Sequence, residues 1–393
     1  MLNKARLLTP GPTAIPDEVR LALAQPMIHH RKAAFHSLMA DCQEKLQTLF
    51  GTKQPVLPLS CSGTGAMTAA VYSLFAPGDK VLVIDAGKFG ERWGNICRAR
   101  GLEVVTLSVE WGLAASPEDV EQMLHDEPGI KGVFVQLSET STGVLHPVED
   151  IAAKVAGTDA LLIVDGVSGV SLSPCPMDAW GIDCLVTGSQ KGLMLPPGMA
   201  FLALSERAWE RCLPDPGCFY FNLPAERKKL EKGETNFTSP VNLIQGLKVS
   251  LDMLLQDGLE AHFHKQWALT QLVRRSVRAM GLNPFVTRNY AWGLTSVLIP
   301  DGIDGIKVVK DCADNHGVFL AGGQDFLKGR IVRLAHMGWA DWSDLLAGLY
   351  ALQRSIIDNG GFSGSHDFLE QGMASYRAAM EGETGKEPLD PHD

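Results

Sequence analysis

The sequence predicts an α/β fold with a mainly parallel sheet, followed by a smaller α+β unit. Three observations predict it. Seven short runs rich in Val, Ile and Leu lie between residues 56 and 204, and helical segments separate them. Most are bounded by Gly, Pro or Asp, the pattern of strands buried between layers of helices. The 393 residues are too many for one ordinary core and fit two domains.

Taken in order, residues 1 to about 20 carry Pro10, Pro12 and Pro16 and read as an extended arm. The predicted strands are Val56–Ser60, Lys80–Ile84, Glu103–Ser108, Gly132–Leu137, Ala160–Asp165, Cys184–Thr187 and Ala200–Leu204. A helical tract from Pro240 to Met280 is interrupted near Asp257-Gly258. Beyond it, Leu294–Ile299 and Arg330–His336 read as strands, and Ile306–His316 and Trp342–Asn359 as helices. The predicted division is an arm over 1–20, a large domain over 21–260, a small domain over 261–359 and a mobile tail over 360–393. The tail is rich in Gly, Ser and charge, and its end lacks a periodic apolar face.

Composition narrows the function. Apolar residues make up 45% and charged residues 20%, the balance of a soluble globular protein. A formal charge of −10 disfavours non-specific nucleic-acid binding and a basic membrane-docking face. Apolar runs such as 160–164 are too short to span a bilayer. The start, with Pro10 and Pro12 close behind, has no room for an export signal, so a cytoplasmic location is expected. Eight cysteines are scattered without Cys-x-x-Cys or Cys/His spacing, which predicts reduced thiols and no structural metal.

Three segments carry candidate chemistry. Ser62-Gly63-Thr64-Gly65-Ala66 follows a strand and opens a helix. Its amides and hydroxyl would seat a phosphate, although tight packing also uses such turns. Asp165 ends a wholly apolar strand, where open parallel sheets bind ligands; alone, it would equally suit a helix cap. Lys191 follows a third strand in an apolar setting. Desolvation there would favour the neutral amine that condenses with a carbonyl, whereas an isolated loop lysine would simply be solvated. Together, a phosphate seat, an acid for a pyridine nitrogen and an amine meet the needs of pyridoxal 5'-phosphate.

With these residues in place, the chain resembles the class V, fold-type I aminotransferases, especially their alanine–glyoxylate, serine–glyoxylate and serine–pyruvate group. The resemblance runs from Leu7-Leu8-Thr9-Pro10-Gly11-Pro12-Thr13 to Arg330-Ile331-Val332-Arg333-Leu334. It is strongest at Glu139-Thr140-Ser141-Thr142-Gly143-Val144-Leu145 and from Asp178 through Lys191. It implies a seven-stranded sheet, pyridoxal phosphate held by Lys191 as a Schiff base, and transamination of alanine or serine with glyoxylate or pyruvate. By the same resemblance, Asp165 partners the pyridine nitrogen and Phe89 stacks on the ring. Thr140 lies beside the phenolic oxygen, and Thr64, Gly65, Ala66 and Gln190 bind the phosphate. Arg333 binds the substrate carboxylate, Gly11 lines the substrate pocket, and Thr238 reaches a neighbouring subunit's phosphate in a homodimer.

Two features depart from the pattern or vary within it. Gln136-Leu137-Ser138 stands where many relatives have a histidine, and His29-His30-Arg31 occurs only in some subgroups. The latter could serve a neighbour's pocket or be a solvated loop; adjacent histidines cannot readily face one metal ion. Two other functions compete. A lyase such as a cysteine desulfurase would usually carry histidine where Gln190 stands. An accessory role, as in relatives labelled small subunit of a soluble hydrogenase, finds no iron–sulfur spacing or dinucleotide fingerprint.

Overall fold

The computed structural model describes residues 4–361 and 364–386. Its centre is a seven-stranded sheet of Val56–Leu59 (β1), Lys80–Asp85 (β2), Glu103–Ser108 (β3), Ile130–Gln136 (β4), Leu161–Asp165 (β5), Cys184–Gly188 (β6) and Ala200–Leu204 (β7). The spatial order is β1-β7-β6-β5-β4-β2-β3. Only β7 runs against its neighbours, β1 and β6. The carboxyl ends of β1, β2, β4, β5 and β6 therefore gather along one edge. All seven predicted strands are present, Glu103–Ser108 and Ala200–Leu204 with the predicted bounds and the others with an end shifted by one or two residues.

Both faces of the sheet are covered, which explains runs without polar alternation. Along β5, Leu162 and Val164 pack into one core, with Phe35, Leu46 and Ile244 from the helices Ala33–Phe50 and Val241–Leu255. Leu161 and Ile163 face the other, with Met67, Val71 and Trp93 from Gly63–Leu74 and Lys88–Arg100. Each of these side chains is essentially fully buried, a gain of about 1.5–3 kcal/mol for a Leu or Ile.

The helical tract breaks where predicted. Val241–Leu255 ends, Gly258 takes φ +84°, and Leu259–Ala279 begins. A three-stranded antiparallel sheet follows, of Leu294–Leu298 (β8), Ala321–Gly322 (β9) and Ile331–Ala335 (β10), with β10 central. Val332 and Leu334 face the local core with Val308 and Leu349. By the two-residue period of a strand, Arg333 faces the opposite way.

Two expectations are corrected. The arm is extended at Arg6–Leu7, which pairs in parallel with Val318–Phe319, and Leu8 enters the small sheet's core, but it is not extended throughout, because Asp17–Leu23 is helical. The tail is not simply mobile, because Phe368–Glu381 forms a helix with Phe368 and Ala379 buried. Gly372 lies close against Ser276 of the Leu259–Ala279 helix, and Trp267 Nε1 donates to the Lys386 carbonyl at 3.1 Å. Glu387 and Pro388, part of the predicted structureless end, lie outside the described residues. No helix among the described residues is long and apolar enough to cross a membrane, and no group of three His, Cys, Asp or Glu there could hold a metal ion.

Candidate active site

The carboxyl edge of the main sheet opens into a cavity of about 550 Å³, a size suited to a small ligand. Its lining includes Gly11, Thr64, Phe89, Thr140, Asp165, Gln190, Lys191 and Arg333. Eight of the predicted residues are thus brought together from five strand ends of the main sheet or its approaches, the arm and the small sheet. Gly65 and Ala66 belong to the same helix turn but do not line the cavity; their amides turn back to the Ser62 carbonyl at 2.8 and 3.3 Å. Thr238 lies elsewhere, in a cleft of about 470 Å³ shared with Met27, Ile28, His29 and His30. There the two histidine rings stack at 4.9 Å, and Arg31 pairs with Glu234 at 2.5 Å.

Lys191 lies in the turn after β6, 7% exposed. Its Nζ donates to the Pro10 carbonyl, and its own carbonyl accepts from Thr13 Oγ1 at 3.1 Å. Gly11 permits this closure. It has φ +93°, and a Cβ there would come within 2.7 Å of Lys191 Cδ and Cε. Burial lowers the Lys191 amine to about 8; Asp165 opposes the shift, and Arg333 and Arg92 assist it.

Asp165 is 4% exposed, and its Oδ1 accepts the Val167 amide at 2.8 Å. Burial raises its carboxyl to about 6, against the pull of that amide and of Lys191 and Arg92. Arg333 is also buried. Its Nε donates to the Gly322 carbonyl at 2.9 Å and Nη1 to the Thr140 carbonyl at 2.8 Å, which fixes the guanidinium plane across the two sheets. Thr140 Oγ1 donates to Ser168 Oγ at 2.6 Å.

The residue that sequence reasoning missed is Arg92. Its guanidinium lies 4.7 Å from the centre of the Phe89 ring, and Nη1 donates to Thr64 Oγ1 at 3.1 Å. The signal was available, since Arg92 is three residues after Phe89 and so shares its helix face. Gln324, after β9, also lines the cavity; nothing in its local sequence marks it.

The profile of the aminotransferase class V family matches residues 13–337. A protein named soluble hydrogenase small subunit, from Synechococcus, is 39% identical over 92% of this chain and 95% of its own. A serine–glyoxylate aminotransferase from Methylorubrum extorquens is 34% identical over 91% of this chain and 92% of its own. The crystal structure of an alanine–glyoxylate aminotransferase from Nostoc superposes with TM-score 0.87 at 29% identity, covering 91% of this chain and 96% of its own. With its strand-end cavity and a match across most of its length, the chain belongs to the class V aminotransferases, enzymes that depend on pyridoxal phosphate.

Proposed function

We propose that the chain transfers the amino group of alanine or serine to glyoxylate or pyruvate, with Lys191 holding the cofactor. One observation carries this reading: Lys191, Asp165 and Arg333 share one cavity. The serine–glyoxylate and alanine–glyoxylate relatives support the substrates.

The residues fit pyridoxal phosphate. Gln190 Oε1 is buried with no hydrogen-bond partner among the described residues, so a donor is called for beside it, and the NH2 end of the same amide is the part that can donate to a phosphate. Ser62 caps the Gly63–Leu74 helix with its backbone alone, leaving the first turn, with Thr64, as an anion seat. The Gly63 and Thr64 end of this turn, with Gln190, would hold the phosphate; the Gly65 and Ala66 amides bond the Ser62 carbonyl and lie outside the cavity. Asp165 would hold the ring nitrogen, Phe89 the ring face, and Thr140 the phenolic oxygen.

When bound, the cofactor supplies an aldehyde for the donor amine and a protonated ring that accepts electrons from the donor Cα. Asp165 keeps the proton on the ring nitrogen through a charge-assisted hydrogen bond of roughly 1.5–3 kcal/mol. The amine of Lys191 accepts the proton from Cα and later returns it. Arg333 binds the donor carboxylate and orients the Cα–H bond toward that amine. Gly11 and the arm close the pocket over the reacting atoms.

The same reading makes the enzyme a cytoplasmic homodimer in which Thr238 reaches the partner's phosphate seat. The placement of Thr238 outside its own chain's cavity supports this, as does Met27 beside it, 70% exposed. It also puts the domain boundary near residue 260, at the Gly258 break.

The visible absorption of the purified protein tests the reading. A band that bleaches with L-alanine or L-serine and returns with glyoxylate is expected. A band stable to both amino acids would contradict the substrates, and a protein colourless after reconstitution would contradict the role of Lys191.

A further inference from the structure

Glu139, just beyond β4, has 0% of its surface exposed. A carboxylate so placed requires donors for both oxygens. Its Oε2 accepts the amides of Phe89 and Gly90, each at 3.1 Å; Oε1 accepts the Ser141 amide at 3.1 Å and the Ser141 hydroxyl. Phe89 and Gly90 are the second and third residues of the Lys88–Arg100 helix. The N-cap of that helix is Gly87, which has no side chain to satisfy first-turn amides. Glu139 supplies the cap from another strand end, where a negative charge also suits the helix dipole. Gly87 makes room for it, since a Cβ there would collide with Glu139 Cδ and Ser141 Oγ.

The same strand end holds the opposite side of the cavity. Thr140, the next residue, offers its carbonyl to Arg333 Nη1. We propose that Glu139 is a positioning residue: by capping the Phe89 helix and anchoring the Thr140 strand end, it sets the ring of Phe89 relative to the guanidinium of Arg333. This rests on the reading that Phe89 faces the cofactor and Arg333 the donor carboxylate.

The test compares the full-length wild type with Glu139→Gln, Phe89→Ala and the double variant. The readouts are amide exchange at residues 89 and 90 and the dissociation constant of pyridoxal phosphate from the apoprotein. Glutamine keeps the shape but presents an NH2 where an oxygen now accepts. Faster exchange at both amides is expected, with cofactor binding about tenfold weaker, as for loss of a hydrogen bond to a charged group. In the Phe89→Ala background the same change should cost twofold or less, because the cap then has no ring to position. Ser141→Ala, which removes only the hydroxyl donor, should act in the same direction more weakly, and it carries the comparison if Glu139→Gln does not fold. Unchanged exchange in a folded variant, or an equal loss in both backgrounds, would overturn the proposal. Phe89→Ala with unaltered cofactor affinity would instead overturn the reading of the site beneath it.

Discussion

The main sheet and the small sheet bring opposite kinds of cation to one cavity. Lys191 hangs from a turn, meets the Pro10 carbonyl, and is lowered by burial to about 8, within reach of losing its proton. Arg333 stands on the central strand of the small sheet with two of its nitrogens tied to carbonyls. Burial lowers it too, but a guanidinium starts so high that it stays charged. One cation suits a change of state and the other a fixed charge and direction, as the proposed proton carrier and carboxylate clamp require. Asp165 and Glu139 repeat the contrast among acids. Asp165 receives one amide and faces the cavity, whereas Glu139 receives four donors and serves the frame.

The comparison is broken most severely at the group that changes state. Lys191→Ala should lower turnover by roughly 10³-fold or more, the scale of lost general acid–base catalysis plus lost covalent attachment; single-turnover assays with added cofactor measure it. Asp165→Asn should cost about 10–100-fold in kcat, as for a lost charge-assisted hydrogen bond, with the donor KM changed less. Arg333→Lys keeps the charge but loses the planar fork, so kcat/KM for the amino donor should fall about tenfold, mainly through KM. Gly11→Ala should destabilise the fold by about 1–2 kcal/mol, because the positive φ and the approach to Lys191 both resist a Cβ; thermal unfolding reads it.

The last effect is the pH dependence of the apoprotein. The rate of covalent capture of pyridoxal phosphate should rise about tenfold per pH unit and level off above about 8, where the Lys191 amine is neutral. The sign for stability follows from the unfolded reference. Lys191 binds fewer protons folded than unfolded between about 8 and 10.5, so its contribution to stability rises with pH across that window. Asp165 binds more protons folded between 3.8 and about 6, so its contribution falls as pH rises there. Unfolding midpoints of wild type against Asp165→Asn would separate the second effect.

Much of this was legible in the sequence because local pattern dictates it. Strands buried on both faces must be continuously apolar, and their carboxyl ends are marked by Asp165, Lys191 and the Ser62–Ala66 turn. What was not legible depends on distant pairings. The arm's partner is such a case: Arg6–Leu7 pairs with Val318–Phe319, more than 300 residues away. The tail gained a helix because Phe368 and Ala379 found a partner in Leu259–Ala279, which local propensity does not encode. Arg92 was half legible: Phe89 lies three residues before it on the same helix face, but its bond to Thr64 depends on another strand end.

The most direct test of the central claim is chemical mapping of the cofactor lysine. The holoenzyme is reduced with borohydride, digested, and searched by mass spectrometry for the lysine carrying the cofactor. The account predicts the label on Lys191, lost when the protein is reduced in the presence of excess L-alanine. A label on any other lysine, or none in a protein that binds the cofactor, would contradict it.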